Sequence, residues 1–134
     1  MRREIRTAWW SLAIPDTWID THHAECVTLE AQRPLGALQI SSHAKDSDVS
    51  DDDLRDFADE HLKAGARPVP ANFGDYSGFS IAYSKDGCYW RDWYLRRGRH
   101  MVFATYNCAE SSRGKEDSAV NDILSSLSPI GEVA

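Results

Sequence analysis

Hydrophobic and polar residues alternate most regularly in the second half of the chain, between residues 75 and 108. The run Phe79-Ser80-Ile81-Ala82-Tyr83 places a large side chain at every second position, which is the period of a strand with one buried face. Asp86-Gly87 separates this run from a second one, and Gly98 separates the second from a third. Asp-Gly at such a position favours a type I′ turn, because both residues tolerate a positive φ. The pattern predicts a meander of three long antiparallel strands.

The rest of the chain predicts further strands that are less regular in pattern. Apolar runs cover residues 8–14, 24–31 and 37–42, and the last two are joined by a turn at Arg33-Pro34-Leu35-Gly36. Such a pair is typical of a second hairpin with a longer loop. Residues 69–75 predict a short edge strand immediately before the meander.

Two segments have the apolar spacing of an amphipathic helix. Ser50, followed three residues later by Asp53, resembles a capping box at the start of the first segment. This first helix is predicted within residues 47–66, and its apolar stripe consists of Leu54, Phe57, Ala58, His61 and Leu62. The second helix closes the chain before Ser128-Pro129, and its apolar side consists of Ala119, Val120, Ile123, Leu124 and Leu127.

The order of these elements predicts an α+β fold, in which amphipathic helices pack on an antiparallel β-sheet meander. The 134 residues are the usual size of one domain, so we expect residues 1–134 to form a single domain. Hydrophobic residues make up 42% of the chain, and this composition argues against disorder.

Three short stretches resemble the PsbP-like superfamily. They are Trp10-Ser11-Leu12-Ala13-Ile14-Pro15-Asp16-Thr17-Trp18, then Leu38-Gln39-Ile40-Ser41 before the acidic helix, and Ile123-Leu124-Ser125-Ser126-Leu127 after the meander. Members of this superfamily include photosystem extrinsic subunits, a Ran-binding Mog-type protein and many bacterial domains. The resemblance implies an α/β/α sandwich and a mostly non-enzymatic accessory or binding role. It carries over no catalytic residue.

Charge and cysteine content narrow the classes of function. The net charge of −6 disfavours a nucleic-acid binder, which needs cations to neutralise phosphates, and suits a basic partner. The basic segment at residues 1–6 is not followed by an apolar stretch of signal-peptide length, and no run is long enough to cross a membrane. We therefore expect a cytoplasmic protein. Cys26, Cys88 and Cys108 have no metal-site spacing, and we interpret them as free thiols.

The meander predicts one candidate surface for a partner. If Asp86-Gly87 is a two-residue loop, the side chains of the first two strands sort onto two faces. The face predicted to be core, with Asp92 as its lone charge, contains Phe79, Ile81, Tyr83, Trp90 and Tyr94. The other face carries Tyr89, Arg91 and Trp93, which are residue types enriched at interface hot spots. This second face is either a partner-binding surface or the place where a helix packs.

Two charged segments are further candidates for partner binding. Arg96, Arg97 and Arg99 cluster at the tip of the second hairpin and form either a site for an acidic partner or a solvated loop. The acidic stretch of residues 46–60 lacks the ligand spacing of a calcium loop. Its aspartates either stabilise the helix start or bind a basic partner, and those chosen as partner-binding candidates are Asp52, Asp56 and Asp59.

The function expected from these observations is a non-enzymatic, cytoplasmic protein-interaction domain. One version is a bacterial immunity or accessory protein for a secreted effector. The alternative is a small-ligand-binding domain with a pocket between sheet and helix, lined by Trp90, Trp93 or Tyr106. An enzyme that uses Cys108 or a histidine cluster is a third alternative. No catalytic residue, metal or cofactor is predicted, and a homodimer formed by exposed aromatic residues remains open.

Overall fold

The structure, a computed structural model, describes residues 2–130. The predicted strand, hairpin, helical segment, meander and closing helix occur in that order, and the structure adds three strands that were not predicted, at residues 2–6, 18–22 and 128–129. The elements are β1 (Arg2–Arg6), β2 (Trp10–Pro15), β3 (Trp18–His22), β4 (Cys26–Ala31), β5 (Gly36–Ala44), α1 (Asp51–Phe57), α2 (Asp59–Lys63), β6 (Val69–Phe73), β7 (Tyr76–Lys85), β8 (Cys88–Arg97), β9 (His100–Ala109), α3 (Asp117–Ser125) and β10 (Ser128–Pro129).

Seven strands form the main sheet, in the order β3-β4-β5-β9-β8-β7-β6. All neighbours are antiparallel, and β7, β8 and β9 form the predicted meander. Asp86 and Gly87 have φ angles of 54° and 79°, as a type I′ turn requires. The register also follows the prediction, because Tyr83 lies opposite Trp90. At one edge of the sheet, β6 contains Pro70 and is exposed at Val69.

One face of the main sheet packs against α3 and a small sheet of order β1-β2-β10. Trp10, Leu12 and Ile14 alternate inward along β2, while Val120 and Ile123 of α3 enter the same core. The strand β1 was not predicted, since its sequence is mostly charged, yet it pairs along the whole of β2 and buries Ile5. This layer therefore combines a helix with strands.

The opposite face packs against α1 and α2, through a second core built around Leu54, Phe79, Ile81 and Met101. The structure corrects the prediction of a single helix within residues 47–66. The helix is interrupted at the buried Ala58 and forms α1 and α2 instead. Ala58 has φ −93° and ψ 4°, and its N–H is shared among the carbonyls of the preceding turn, so the chain tightens there before α2 continues.

The predicted fold class is confirmed as α+β, with helices on an antiparallel sheet. Within residues 2–130, no helix is long and apolar enough to cross a membrane. The two faces of the sheet are both covered, but not evenly: α1 and α2 leave Tyr83 and Trp90 half-buried at the end of the β7–β8 hairpin. Trp90 is therefore not the core residue that the sequence predicted, and Trp93 has that place on the other face.

Candidate functional site

A recess of about 180 Å³ lies between α1 and the centre of the main sheet. Phe57 of α1 forms one side, and side chains of β8 and β9 form the floor. Asp92 is opposite Thr105 and Tyr94 is opposite Phe103 in the register of these strands. Because directly opposed residues share a face, the four side chains converge on this point. We call it the Asp92 recess.

Asp92 is a buried carboxylate with an incomplete set of hydrogen bonds. The residue is 3% exposed. Its Oδ2 accepts hydrogen bonds from the hydroxyls of Tyr83 at 3.0 Å and Tyr94 at 3.3 Å, and Nε2 of His61 lies 3.7 Å from the same oxygen. Its Oδ1 accepts no hydrogen bond. Buried carboxylate oxygens are normally satisfied, so an unpaired one calls for an explanation.

The protonation behaviour of this cluster follows from its burial. Burial raises the pKa of the Asp92 carboxyl, and the hydrogen bond from Tyr83 opposes that shift only in part. Burial, together with the charge of Asp92, also raises the pKa of Tyr83 and of Tyr94. Both phenols therefore act as donors, and a positive charge beside Asp92 would stabilise its ionised form.

Aromatic rings surround the carboxylate. Phe57 lies 4.8 Å from Phe103 between ring centroids, and Tyr94 meets Phe103 edge-on at 5.5 Å. On the other side of Asp92, His61 stacks on Tyr83 at 4.3 Å. Phe57 is 56% exposed, although the sequence placed it on a buried stripe. Aromatic faces beside an acidic group are a favourable environment for a cation.

Exposed carboxylates occupy the same two helices as Phe57. We define the acidic rim as Asp52, Asp56, Asp59 and Glu60, all of which are exposed. Asp59 is paired with Lys63 at 2.9 Å. The other three have no ion-pair partner among residues 2–130. The two short helices next to the Asp92 recess therefore carry a net negative charge on their exposed surface.

Two neighbouring aspartates of α1 have structural roles instead. Asp53 accepts a hydrogen bond from Lys45 at 2.7 Å and closes the predicted capping box with Ser50. The hydrogen bond from Lys45, followed by that from the Ser50 backbone, lowers the pKa of Asp53 to about 2. Asp51 forms an ion pair with Arg96 at 3.0 Å, which attaches the helix start to β8.

The structure corrects the meander surface predicted at Tyr89, Arg91 and Trp93. Tyr89 and Trp93 are buried in the core beneath α3 and the small sheet. The guanidinium of Arg91 lies 4.6 Å from the ring of Trp93, and 3.6 Å separates it from Asp117 of α3. The alternative, a helix packed over this face, is what the structure has. None of the three residues enters the proposed binding surface.

The three arginines at the second hairpin do not form one cationic patch. Arg96 is bound to Asp51 and to the carbonyl of Val49. Arg97, on the opposite face of β8, lies 3.8 Å from Asp75. Arg99 alone is exposed, next to Gly98 in the turn. Two of the three cations are thus used to attach neighbouring segments to the sheet.

The residues predicted to line a ligand pocket are also separated. Tyr106 is buried and donates a hydrogen bond from its hydroxyl to Glu116 at 2.8 Å. Trp93 borders the Asp92 recess, but its side chain belongs to the other core. Trp90 stacks with Tyr83 and belongs neither to the lining of the Asp92 recess nor to the core that contains Trp93. Cys108 is buried, and no group of three or more His, Cys, Asp or Glu residues in the described chain could hold a metal ion.

A larger concavity, of about 510 Å³, separates the β1–β2 connection from strands β3, β4 and β5 of the main sheet. We call it the hairpin groove. Trp9, Trp10, His22 and His43 are among its lining residues. Trp10 is 1% exposed, and its indole Nε1 has no hydrogen-bond partner within residues 2–130. The sequence did not predict this groove, since residues far apart in the chain form it.

Solved structures that match the chain share its fold. A protein from Bacteroides thetaiotaomicron VPI-5482 aligns with a TM-score of 0.66 and 15% identity, over 92% of this chain and 46% of that chain. LpqN, involved in cell envelope biogenesis of Mycobacterium tuberculosis, has the same score and identity over 91% of this chain and 83% of its own. This chain thus spans about half the length of the Bacteroides protein. At such identities the likeness concerns the fold alone.

A PsbP protein is also among the matching structures. The cyanobacterial PsbP of Synechocystis sp. PCC 6803 aligns over 97% of this chain and 92% of its own, with a TM-score of 0.45 and 13% identity. No protein-family model matches the sequence, and no curated protein does.

Proposed function

We propose that this protein is a non-enzymatic interaction domain that binds a basic protein partner through the acidic rim. A single observation carries the proposal: an exposed aromatic side chain, Phe57, borders the Asp92 recess on a helix pair whose other exposed residues include three carboxylates without an ion-pair partner in residues 2–130. Interfaces commonly have an aromatic anchor at the centre and a polar periphery. A cationic partner also gains from electrostatic attraction at this surface.

The charge of the rim favours a partner over a purely structural role for these residues. Only Asp51 and Asp53 are needed to anchor α1, since they form the bonds to Arg96 and Lys45. Asp52 and Asp56 are exposed and form no such bond in the described chain. Like charges on short neighbouring helices repel each other. A cationic partner would remove that repulsion.

We place the protein in the cytoplasm, where an immunity or accessory protein for a secreted effector would meet its partner. The support for this location is the cysteine chemistry. Cys26, Cys88 and Cys108 are free, and Cys108 is buried. Unpaired thiols are typical of a reducing compartment.

Affinity capture with two charge-matched variants tests the proposal. The rim variant carries Asp52→Asn, Asp56→Asn and Asp59→Asn. The control carries Asp16→Asn, Asp86→Asn and Asp122→Asn, which removes the same charge from exposed positions on other elements. We expect one stoichiometric partner in host lysate that binds the wild-type and control proteins, is lost from the rim variant, and dissociates as salt rises. Equal capture by both variants would exclude the rim as the binding surface.

The hairpin groove supports a second candidate function, the binding of a small ligand. Its volume of about 510 Å³ lies in the range of known ligand sites. The Nε1 of Trp10 is buried and unpaired, and a ligand that displaced its cover would satisfy this donor with an acceptor. Thermal-shift screening with Trp10→Phe, which keeps a ring but lacks the N–H, tests this candidate. A ligand that stabilises both proteins equally would not be using that donor.

A further inference from the structure

We propose that the Asp92 recess binds the ammonium group of one lysine side chain of the basic partner. This inference rests on the proposed function, because it assigns the chemistry of the partner residue that the acidic rim would surround. It adds Asp92, which neither the rim nor the proposed function uses, so that the two ideas can be tested separately.

The unpaired oxygen of Asp92 is the first argument. All three neighbouring polar groups, from Tyr83, Tyr94 and His61, approach Oδ2, and Oδ1 is left without a hydrogen bond. A lysine ammonium has three donors and a full positive charge. Bound here, it would give Oδ1 a charge-assisted hydrogen bond and would stabilise the ionised carboxylate.

The size and walls of the recess favour lysine over arginine. Its volume of about 180 Å³ fits one side chain but not a folded segment. Phe57 and Phe103 offer apolar surface for the methylene stem, and Asp92 is the one acidic residue that lines the recess. An arginine needs partners for five N–H groups in a planar fork, whereas Oδ1 of Asp92 is the one buried side-chain oxygen of the recess that lacks a hydrogen bond in the described residues.

Access to the carboxylate depends on Phe57. The side chain of Asp92 is 5% exposed, so an entering ammonium has to displace part of the cover. Phe57 is the exposed part of that cover, and it is the last residue of α1, directly before the break at Ala58. In this proposal Phe57 rotates outward to admit the ammonium, while Tyr94 and Phe103 keep their places in the second core.

Fluorescence anisotropy with three labelled peptides tests the inference. The peptides share one Gly-Ser-rich sequence and carry lysine, arginine or acetyl-lysine at the same positions. We expect wild-type protein to bind the lysine peptide about tenfold or more tightly than the acetyl-lysine peptide, as a lost charged hydrogen bond implies. Asp92→Asn should lose that tightness for lysine and leave arginine binding unchanged. Equal affinity for lysine and acetyl-lysine peptides in wild-type protein would overturn the inference.

The rim variant separates this inference from the proposed function. With Asp52, Asp56 and Asp59 replaced by asparagine, binding of the lysine and arginine peptides should weaken by the same factor. If Asp92→Asn binds lysine peptide like wild type while the rim variant binds both weakly, the recess inference fails and the proposed function stands. If the rim variant binds both peptides like wild type, the proposed function fails.

Two controls complete the experiment. Phe57→Ala changes an exposed side chain and should fold normally. We expect it to weaken binding of the lysine peptide several-fold. Unchanged binding would overturn the inference even if Asp92→Asn failed to fold.

n-Butylammonium chloride supplies the same cation without a peptide. If it displaces the lysine peptide at concentrations below the dissociation constant of that peptide, the site takes a free amine and the partner-lysine proposal is wrong.

Discussion

Asp92 is the residue at which stability and binding have opposite requirements. A carboxylate buried among phenol and phenyl rings is costly when ionised, and burial raises its pKa in the folded state. An apolar or amide side chain at the same position would fold at lower cost. The sequence already marked Asp92 as the lone charge on an apolar face, which is the kind of local inconsistency that a function can explain.

Asp92→Asn should stabilise the protein relative to wild type, and this gain in unfolding free energy should be larger at neutral pH than near pH 4. Since the folded-state pKa is raised above the unfolded value, the favourable contribution of Asp92 is complete below the unfolded pKa and is lost as pH rises through the folded pKa. The loss is about 1.4 kcal/mol for each unit that separates the two pKa values. Urea unfolding at several pH values measures it.

The control for that experiment is Asp122→Asn, which removes an exposed carboxylate from α3. The informative quantity is the difference in unfolding free energy between each variant and wild type. A difference for Asp92→Asn that stays flat from pH 4 to neutral pH, or falls, would show that burial does not disfavour the charge of Asp92.

Among the secondary-structure elements, strands joined by tight turns were the most predictable. Asp86-Gly87 set both the turn and the pairing of β7 with β8, because positive φ at two consecutive residues permits few alternatives. The break between α1 and α2 gave no such signal. Alanine is a strong helix former, so its local preference does not explain the break at Ala58. We attribute the break to tertiary packing of its buried side chain.

The capping box at the start of α1 has a measurable effect on this element. Ser50→Ala removes the hydrogen bond from the Asp53 N–H, which is 3.1 Å long, and should lower the unfolding free energy by about 1 kcal/mol. Ser47→Ala, at an exposed position before the cap, is the matched control. Chemical denaturation followed by circular dichroism measures both. Equal midpoints for the two variants would contradict a stabilising role for the cap.

In the molecule as a whole, the main sheet separates two hydrophobic cores, one on each of its faces. Ile81 of β7 lies in the core between the main sheet and the helices α1 and α2. Ile123 of α3 lies in the core on the opposite face of the sheet. Alternation along the strands predicted that both faces carry large residues. It could not predict which rings a helix would cover, because the coverage of Trp90 and Phe57 depends on where short helices end. The Asp92 recess and the hairpin groove depend on the same long-range packing.

The two cores should contribute independently to one cooperative transition. Ile81→Val and Ile123→Val should each cost about 0.5–1.5 kcal/mol, and the double variant should cost their sum within about 0.5 kcal/mol, because the sites share no partner. Urea unfolding followed by tryptophan fluorescence and by circular dichroism tests this. Two separate transitions, or a double variant far from additive, would show that the faces do not unfold as one unit.

Pro70 in β6 limits how this protein can associate. An edge strand offers unpaired backbone N–H and C=O groups to a strand of another molecule. Proline removes one of the N–H donors that such pairing needs. At the opposite border, β3 carries Asp20 and His22, whose polar side chains also discourage continuation of the sheet. Partners that add a strand are thereby disfavoured at both edges of the main sheet, which is consistent with the proposed use of side chains on the helical face.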